Sequence, residues 1–393
     1  MSYTADIDSI MNGLAPELRA SIGMDTIVVE AGALKKVVPY VLQRYQHVML
    51  VVDEHTYKVA GKKLESELNL DARSLHTVFI SPNAIEDVVA DEQSIVELVL
   101  AAKQFQPDIL IALGSGTLHD ITRMAGFILN LPFISVPTAP SVDGFNSKGA
   151  PVILRGEKKT IVSIGPVAVF ADLDILRKAP RELIAAGFGD IVGKFTSLFD
   201  WKFGQLTNQE PYMEQAYLIT KNALDKCVKA ADLIELGDQE GIAYLISGLI
   251  ESGIAMLIFG KSHPASGAEH HLSHYWEMDF IKQGRKQLLH GAKVGVACTI
   301  IAELYHRLAE EEFGLQSDVR ESVRVNWEEI KQHIAEIPSA AELRAMIAKV
   351  GGPTTIEELG VPSELAETAL KYAHLVRPER YTLLHAYNTK VEQ

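Results

Sequence analysis

Asp190, His270, His274 and His290 are the residues of this 393-residue chain whose types and spacing could do chemistry. Asp190 stands in Gly187-Phe188-Gly189-Asp190, and His270 and His274 lie four apart in Glu269-His270-His271-Leu272-Ser273-His274. On a helix that spacing puts both imidazoles on one face, whereas adjacent His270 and His271 diverge by about 100° and cannot share a pocket. His290 opens a further helical stretch at Leu289-His290-Gly291-Ala292-Lys293. One carboxylate with two or three imidazoles can hold a divalent cation and leave a position for a substrate oxygen. Asp190 also precedes Lys194 by four residues, the spacing of an ordinary intrahelical ion pair, and that second reading stays open.

Upstream, an apolar run Ile109–Leu113 leads into Gly114-Ser115-Gly116-Thr117 and then a helical stretch. Two glycines let the backbone approach a pyrophosphate, and the N–H groups at a helix start face the anion. His119 occupies the place of the third glycine of the usual dinucleotide fingerprint, so a plain tight turn remains the alternative. Asp53, after the run Val48–Val52, could accept from an adenosine ribose and favour NAD over NADP, or could simply cap the next helix. The loop Pro137–Ser147 offers Thr138, Ser141, Asp143 and Ser147 at the end of another apolar run, as ligand contacts or as local turn bonds.

Those residues need a scaffold, and the first ~175 residues alternate short apolar runs with helix-period stretches. Strands are expected at Thr26–Val29, His47–Val52, Thr77–Ile80, Ile109–Leu113, Phe133–Val136, Thr160–Ser163 and Val167–Ala171. Helices are expected between them at Ala33–Arg44, Tyr57–Leu68, Glu92–Lys103 and Leu118–Leu129. The pattern predicts an α/β Rossmann-like domain with a parallel sheet over residues 1–176. From 177 to 393 nearly everything reads as helix, including Ile184–Phe203, Tyr212–Leu233 and Val294–Glu312, and the active site is expected in the cleft between the two parts.

Hydrophobic residues make up 47% and charged residues 22%, as in soluble globular proteins. A net charge of −14 argues against nucleic-acid or anionic-membrane binding. No apolar leader is visible in Met1–Asp25, and the apolar stretch Tyr244–Gly260 carries Glu251 and reads as a buried core helix. Cys227 and Cys298 are far apart and read as buried free thiols of a reducing cytoplasm.

Four segments in order resemble the sn-glycerol-1-phosphate dehydrogenases, in particular their bacterial branch. They are Gly114-Ser115-Gly116-Thr117-Leu118-His119-Asp120, Pro137-Thr138-Ala139-Pro140-Ser141-Val142-Asp143-Gly144, Gly187-Phe188-Gly189-Asp190 and Pro264-Ala265-Ser266-Gly267-Ala268-Glu269-His270, with Arg380-Tyr381-Thr382-Leu383-Leu384-His385 near the C-terminus. The family is grouped with glycerol dehydrogenase, the iron-type alcohol dehydrogenases and, more remotely, dehydroquinate synthase. The resemblance implies reduction of dihydroxyacetone phosphate by NADH or NADPH with one divalent metal, nickel or zinc foremost, in a homodimer. It places the metal on Asp190, His270 and His290, and His274 near the nicotinamide as the catalytic proton carrier. Asp53, Gly114, Ser115, Gly116, Thr117, Asp120, Thr138, Ser141, Asp143 and Ser147 are the expected cofactor contacts. Lys194 stands where iron-type relatives carry a fourth ligand. His263 stands where the family commonly has an arginine, which makes it the expected, pH-dependent phosphate contact. A polyol dehydrogenase acting on an unphosphorylated diol, or a non-catalytic nucleotide-binding relative, are the alternatives.

Overall fold

The computed structural model describes residues 4–69 and 74–389. Six parallel strands form the central sheet: β1 (Thr26–Glu30), β2 (His47–Val52), β3 (Ser74–Phe79), β4 (Ile109–Gly114), β5 (Phe133–Pro137) and, after a hairpin, β8 (Ala168–Asp172). Their order is β1-β8-β5-β4-β2-β3. Helices α1 (Leu34–Leu42), α2 (Glu92–Phe105) and α3 (Gly116–Leu129) make crossovers, so β4, β5 and β8 are buried on both faces and read as unbroken apolar runs.

The expected strand Thr160–Ser163 does not join this sheet. It belongs to β7 (Glu157–Val162), which pairs antiparallel with β6 (Gly149–Leu154) in a separate hairpin, turned at Arg155 and Gly156 with positive φ. β6 was not expected as a strand, because Gly149 and Pro151 read as turn residues. Pro151 is tolerated in a two-stranded ribbon, where one side of each strand lacks a ladder partner.

Beyond β8 the described chain is helical: α4 (Arg181–Val192), α5 (Lys194–Asn208), α6 (Glu214–Lys229), α7 (Gln239–Phe259), α8 (Ala268–Lys282), α9 (His290–Glu310) and shorter helices after them. The helix expected over Ile184–Phe203 is broken at Gly193 into α4 and α5, although its apolar periodicity continues across the break. Helix α7 is long and apolar enough to cross a membrane, yet 83% of its most apolar window is buried inside the protein. Glu251 within it is 1% exposed and pairs with Lys226 at 3.3 Å. The core of the helical part runs on into the sheet edge, taking in Ile27 and Val29 of β1 and Val169 and Ala171 of β8. Ile7, Met11 and Leu14, ahead of β1, belong to that same core.

Candidate metal centre and cofactor cleft

Asp190 lies near the end of α4, His270 in the first turn of α8, and His290 is the first residue of α9. Two glycines let α4 and α9 cross with their backbones in contact. A Cβ on Gly291 would stand 1.8 Å from the Ala186 carbonyl oxygen, and one on Gly189 would stand 2.4 Å from that of Gly291. No larger residue fits either crossing, and the close approach carries Asp190 to His290. One oxygen or ring nitrogen from each of Asp190, His270 and His290 lies within 4.8 Å of the others. One hard oxygen and two imidazole nitrogens are a donor set that suits a catalytic divalent ion, so the residues present fit the group.

Each donor is held from behind. Glu269, fully buried, accepts from His270 Nδ1, from the Gly267 N–H and from the Thr196 hydroxyl, each at 2.7 Å. Burial opposes its ionisation, yet the hydrogen bonds from His270, Thr196 and Gly267 hold its carboxyl below the usual range. Asp190 Oδ2 accepts the Asp143 N–H at 2.9 Å, and Oδ1 accepts from Lys194 Nζ at 3.0 Å. Lys194, with no exposure, also reaches Asp143 Oδ2 at 2.7 Å and the Ala265 carbonyl at 3.2 Å. Burial opposes its charge, but Asp143 and Asp190 outweigh that and raise its pKa. Asp190 thus pairs with Lys194 and also faces the two histidines.

His274 stays outside the three-donor cluster. Its ring centroid is 5.9 Å from that of His290, and its Nδ1 is 3.5 Å from Glu277 Oε2. Burial, with Lys158 next, pushes the His274 pKa well below its ordinary value, and burial with His270 does the same to His290. Glu277 also receives Lys158 at 2.7 Å and Lys293 at 3.0 Å. Burial brings the Lys293 pKa down to about 8, against the pull of Glu277.

A cavity of about 230 Å³ opens beside the cluster, lined by Ser115, Gly116 and Thr117 and by Glu277 and His290. Asp120 and Ser141 also line it. Burial raises the Asp120 pKa to about 7 against the pull of Arg123, which bonds it at 2.8 Å. Thr138 is not at the cavity wall; its N–H bonds the Gly114 carbonyl at 3.0 Å and extends the pairing of β4 with β5. Asp143, expected at the cofactor, is buried against Lys194 and accepts from Ser252 at 2.8 Å, so it braces the three-donor cluster. Ser147 bonds the Gly144 carbonyl within its own turn. Asp53 caps the short helix Glu54–Thr56, its Oδ1 taking the Thr56 N–H at 2.7 Å. His119, in the place of the third glycine, bonds the Ser115 carbonyl and Ser135 Oγ, each at 2.8 Å, and ties the turn to the sheet.

His263 does not supply the expected positive charge. It packs against Trp201 and Phe259, and burial, with Arg380 nearby, lowers its pKa to about 2. Arg380 instead pairs with Glu210, and Thr382 caps the helix Leu383–Asn388, so the C-terminal motif fastens the chain end. Sequence reasoning missed the roles of Glu269, Glu277, Lys158 and Lys293, although Glu269 and Lys293 both lay inside quoted segments.

Residues 28–180 match the family described as iron-containing alcohol dehydrogenase. The chain is 43% identical over 376 residues to a protein of Geobacillus stearothermophilus named glycerol-1-phosphate dehydrogenase (NAD(P)+), covering 93% of each. It is 41% identical to the one so named in Bacillus subtilis (strain 168), over 95% of this chain and 93% of that one. The chain belongs to the glycerol-1-phosphate dehydrogenase family. The archaeal member from Pyrococcus furiosus is 34% identical over 86% of this chain and 85% of its own. Members of the family are NAD(P)-dependent oxidoreductases. Among solved structures, a probable glycerol dehydrogenase from Sinorhizobium meliloti 1021 superposes with a TM-score of 0.67, over 94% of this chain and 93% of that one. Glycerol dehydrogenase from Schizosaccharomyces pombe does so over 94% and 85%, also at 0.67. At 17% identity each, these two share the fold.

Proposed function

We propose that the chain catalyses the reversible NAD(P)-linked reduction of dihydroxyacetone phosphate to sn-glycerol 1-phosphate, with one divalent metal held by Asp190, His270 and His290. The observation that carries this reading is the convergence of those three donors beside a cavity lined both by His290 and by Ser115, Gly116 and Thr117 of the glycine turn. A divalent ion there supplies Lewis-acid polarisation of a ketone oxygen, and the nicotinamide supplies the hydride. The N–H groups at the start of α3 face the cofactor phosphates. Glu269 fixes the ring of His270, and Lys194 and the Asp143 amide fix the carboxylate of Asp190.

His274 carries the proton. Its Nδ1–H points to the Glu277 carboxylate, so Nε2 is the basic nitrogen; it takes the alcohol proton in oxidation and returns it in reduction. Glu277 then stabilises the imidazolium. Asp53 meets the ribose with the oxygen its cap leaves over. Nickel or zinc fits the donor set, the protein is a cytoplasmic homodimer, and residue 176 divides its two domains. The buried free thiols of Cys227 and Cys298 suit a reducing compartment.

The test is NADH oxidation with dihydroxyacetone phosphate after chelation and reloading with Ni²⁺ or Zn²⁺, beside unphosphorylated dihydroxyacetone. Metal-dependent turnover of the phosphorylated ketone is the expected result. Turnover of the unphosphorylated ketone alone would make the protein a polyol dehydrogenase, and no turnover of either would sink both readings.

A further inference from the structure

A phosphorylated substrate has to place a dianion beside the donor cluster, and the charges around that cluster show where. Most cations there are matched by carboxylates: Lys194 by Asp190 and Asp143, Arg123 by Asp120, Arg380 by Glu210. Glu277 breaks the pattern, because a single carboxylate faces both Lys158 at 2.7 Å and Lys293 at 3.0 Å. Among the described residues no other carboxylate pairs with either lysine. The group holds one positive charge in excess, in a place where burial makes that excess costly unless an anion arrives.

The position suits a substrate phosphate. His290, Glu277 and Lys158 line the same cavity, and His274 bridges the two groups, ringed against His290 and bonded to Glu277. In a triose phosphate only a CH2–O unit separates the ketone carbon from phosphorus. A ketone oxygen at the donor cluster therefore brings its phosphate to the neighbouring cluster. The cofactor phosphates are assigned to Ser115–Thr117, which line the same cavity. Lys158 comes from β7 of the hairpin, whereas Lys293 lies one turn beyond His290 on α9. Lys293 is almost wholly enclosed; the Lys158 side chain retains 13% exposure and can swing.

We propose that Lys158 and Lys293 anchor the substrate phosphate, and that Glu277 holds Lys158 in place until the phosphate takes over that contact. The inference rests on the function proposed above. An unphosphorylated ketone cannot displace Glu277, so the exchange of partners is itself a source of specificity.

The test compares wild-type, Lys158→Met, Lys158→Arg and Glu277→Gln proteins, each loaded with metal. The first readout is the ratio of kcat/KM for dihydroxyacetone phosphate to that for dihydroxyacetone. The second is the thermal shift produced by inorganic phosphate. Lys158→Met is expected to lower the ratio about 100-fold, with partial recovery in Lys158→Arg. Half-saturation by phosphate should weaken in Lys158→Met and tighten in Glu277→Gln, since the competing carboxylate is gone. A ratio within about threefold of wild type in Lys158→Met overturns the inference. So does a loss confined to NADH affinity, which would give Lys158 to the cofactor. Loss of phosphate selectivity in an Arg377 variant with Lys158→Met unaffected also overturns it, because Arg377, held by Ser262 and Ser266 at 2.8 and 3.1 Å, would then be the anchor. A wild-type enzyme with no preference for the phosphorylated ketone sinks the proposed function instead, and the phosphate shift still decides whether the lysines bind the anion.

Discussion

Glu269 Oε1 lies 2.7 Å from His270 Nδ1, and the arrangement decides which nitrogen of His270 is free. An ionised carboxylate can only accept, so Nδ1 carries the proton and Nε2 is left basic. Nε2 faces Asp190 Oδ1 at 3.9 Å. The ring is thus set in the tautomer a metal ligand needs before any metal arrives.

Glu269→Gln keeps the size and most of the hydrogen bonds but removes the charge that fixes this tautomer. Metal affinity is expected to fall about 10- to 100-fold, measured by competition with a chromophoric chelator. Unchanged affinity would reduce Glu269 to a packing role.

His270→Ala and His290→Ala each remove a donor from a set of three. Both proteins should fold, since each loses a single imidazole from a three-residue donor cluster, and neither should retain metal after dialysis or turn over substrate. Near wild-type turnover in either one would take that residue out of the donor set.

Gly291→Ala places a methyl group where the Ala186 carbonyl stands 1.8 Å away. Helices α4 and α9 must separate, at a cost of about 1–3 kcal/mol in unfolding free energy. Because the same crossing brings Asp190 to His290, metal retention should fall along with stability in denaturant titrations. A stable variant with full metal content would show that the crossing relaxes elsewhere.

Burial lowers the His119 pKa to about 3, so the folded protein stays neutral there while the unfolded chain gains a proton as pH falls below about 6.5. Stability therefore drops with falling pH through that window. Asp120 and Asp200, each raised to about 7 by burial, act in the opposite sense between roughly pH 4 and 7. Substitution separates the two effects. Near pH 5 the slope of unfolding free energy against pH should be less positive in His119→Gln by about 1.4 kcal/mol per pH unit. Parallel slopes from urea titrations would mean that the folded protein accepts the proton.

Much of the scaffold was legible because its strands are buried on both faces and interrupted by turn residues. The runs at Ile109–Leu113 and Phe133–Val136 carry their burial in their composition. Gly193 was not legible as a break, since Ile191, Val192 and Leu198 keep the helical rhythm across it. Residue type and spacing singled out Asp190, His270, His274 and His290, and the choice of three donors among them came from the family resemblance. Their supports could not, because each depends on a contact between distant elements: Glu277 meets Lys158 across 119 residues, and Asp143 meets Lys194 across two halves of the fold. Glu269 sits beside His270 in the chain, where helical spacing points it to another side; only the bond back to Nδ1 brings it into the site. Asp143 looked like a ligand contact for the same reason: its loop ends a strand at the sheet's functional edge, but its side chain turns inward.

Helix α7 has a consequence for how the chain is made. The elements it packs against most extensively, α6 and the short helix Ala231–Glu235, then Pro16–Ile22, Gly144–Asn146, Leu173–Leu176, α4 and β1, all precede it in the chain. A segment greasy enough to be taken for a membrane anchor thus leaves the ribosome after its binding surface has already emerged. The order of synthesis gives it a partner at once, and shortens the time in which an insertion machinery or an aggregating neighbour could capture it.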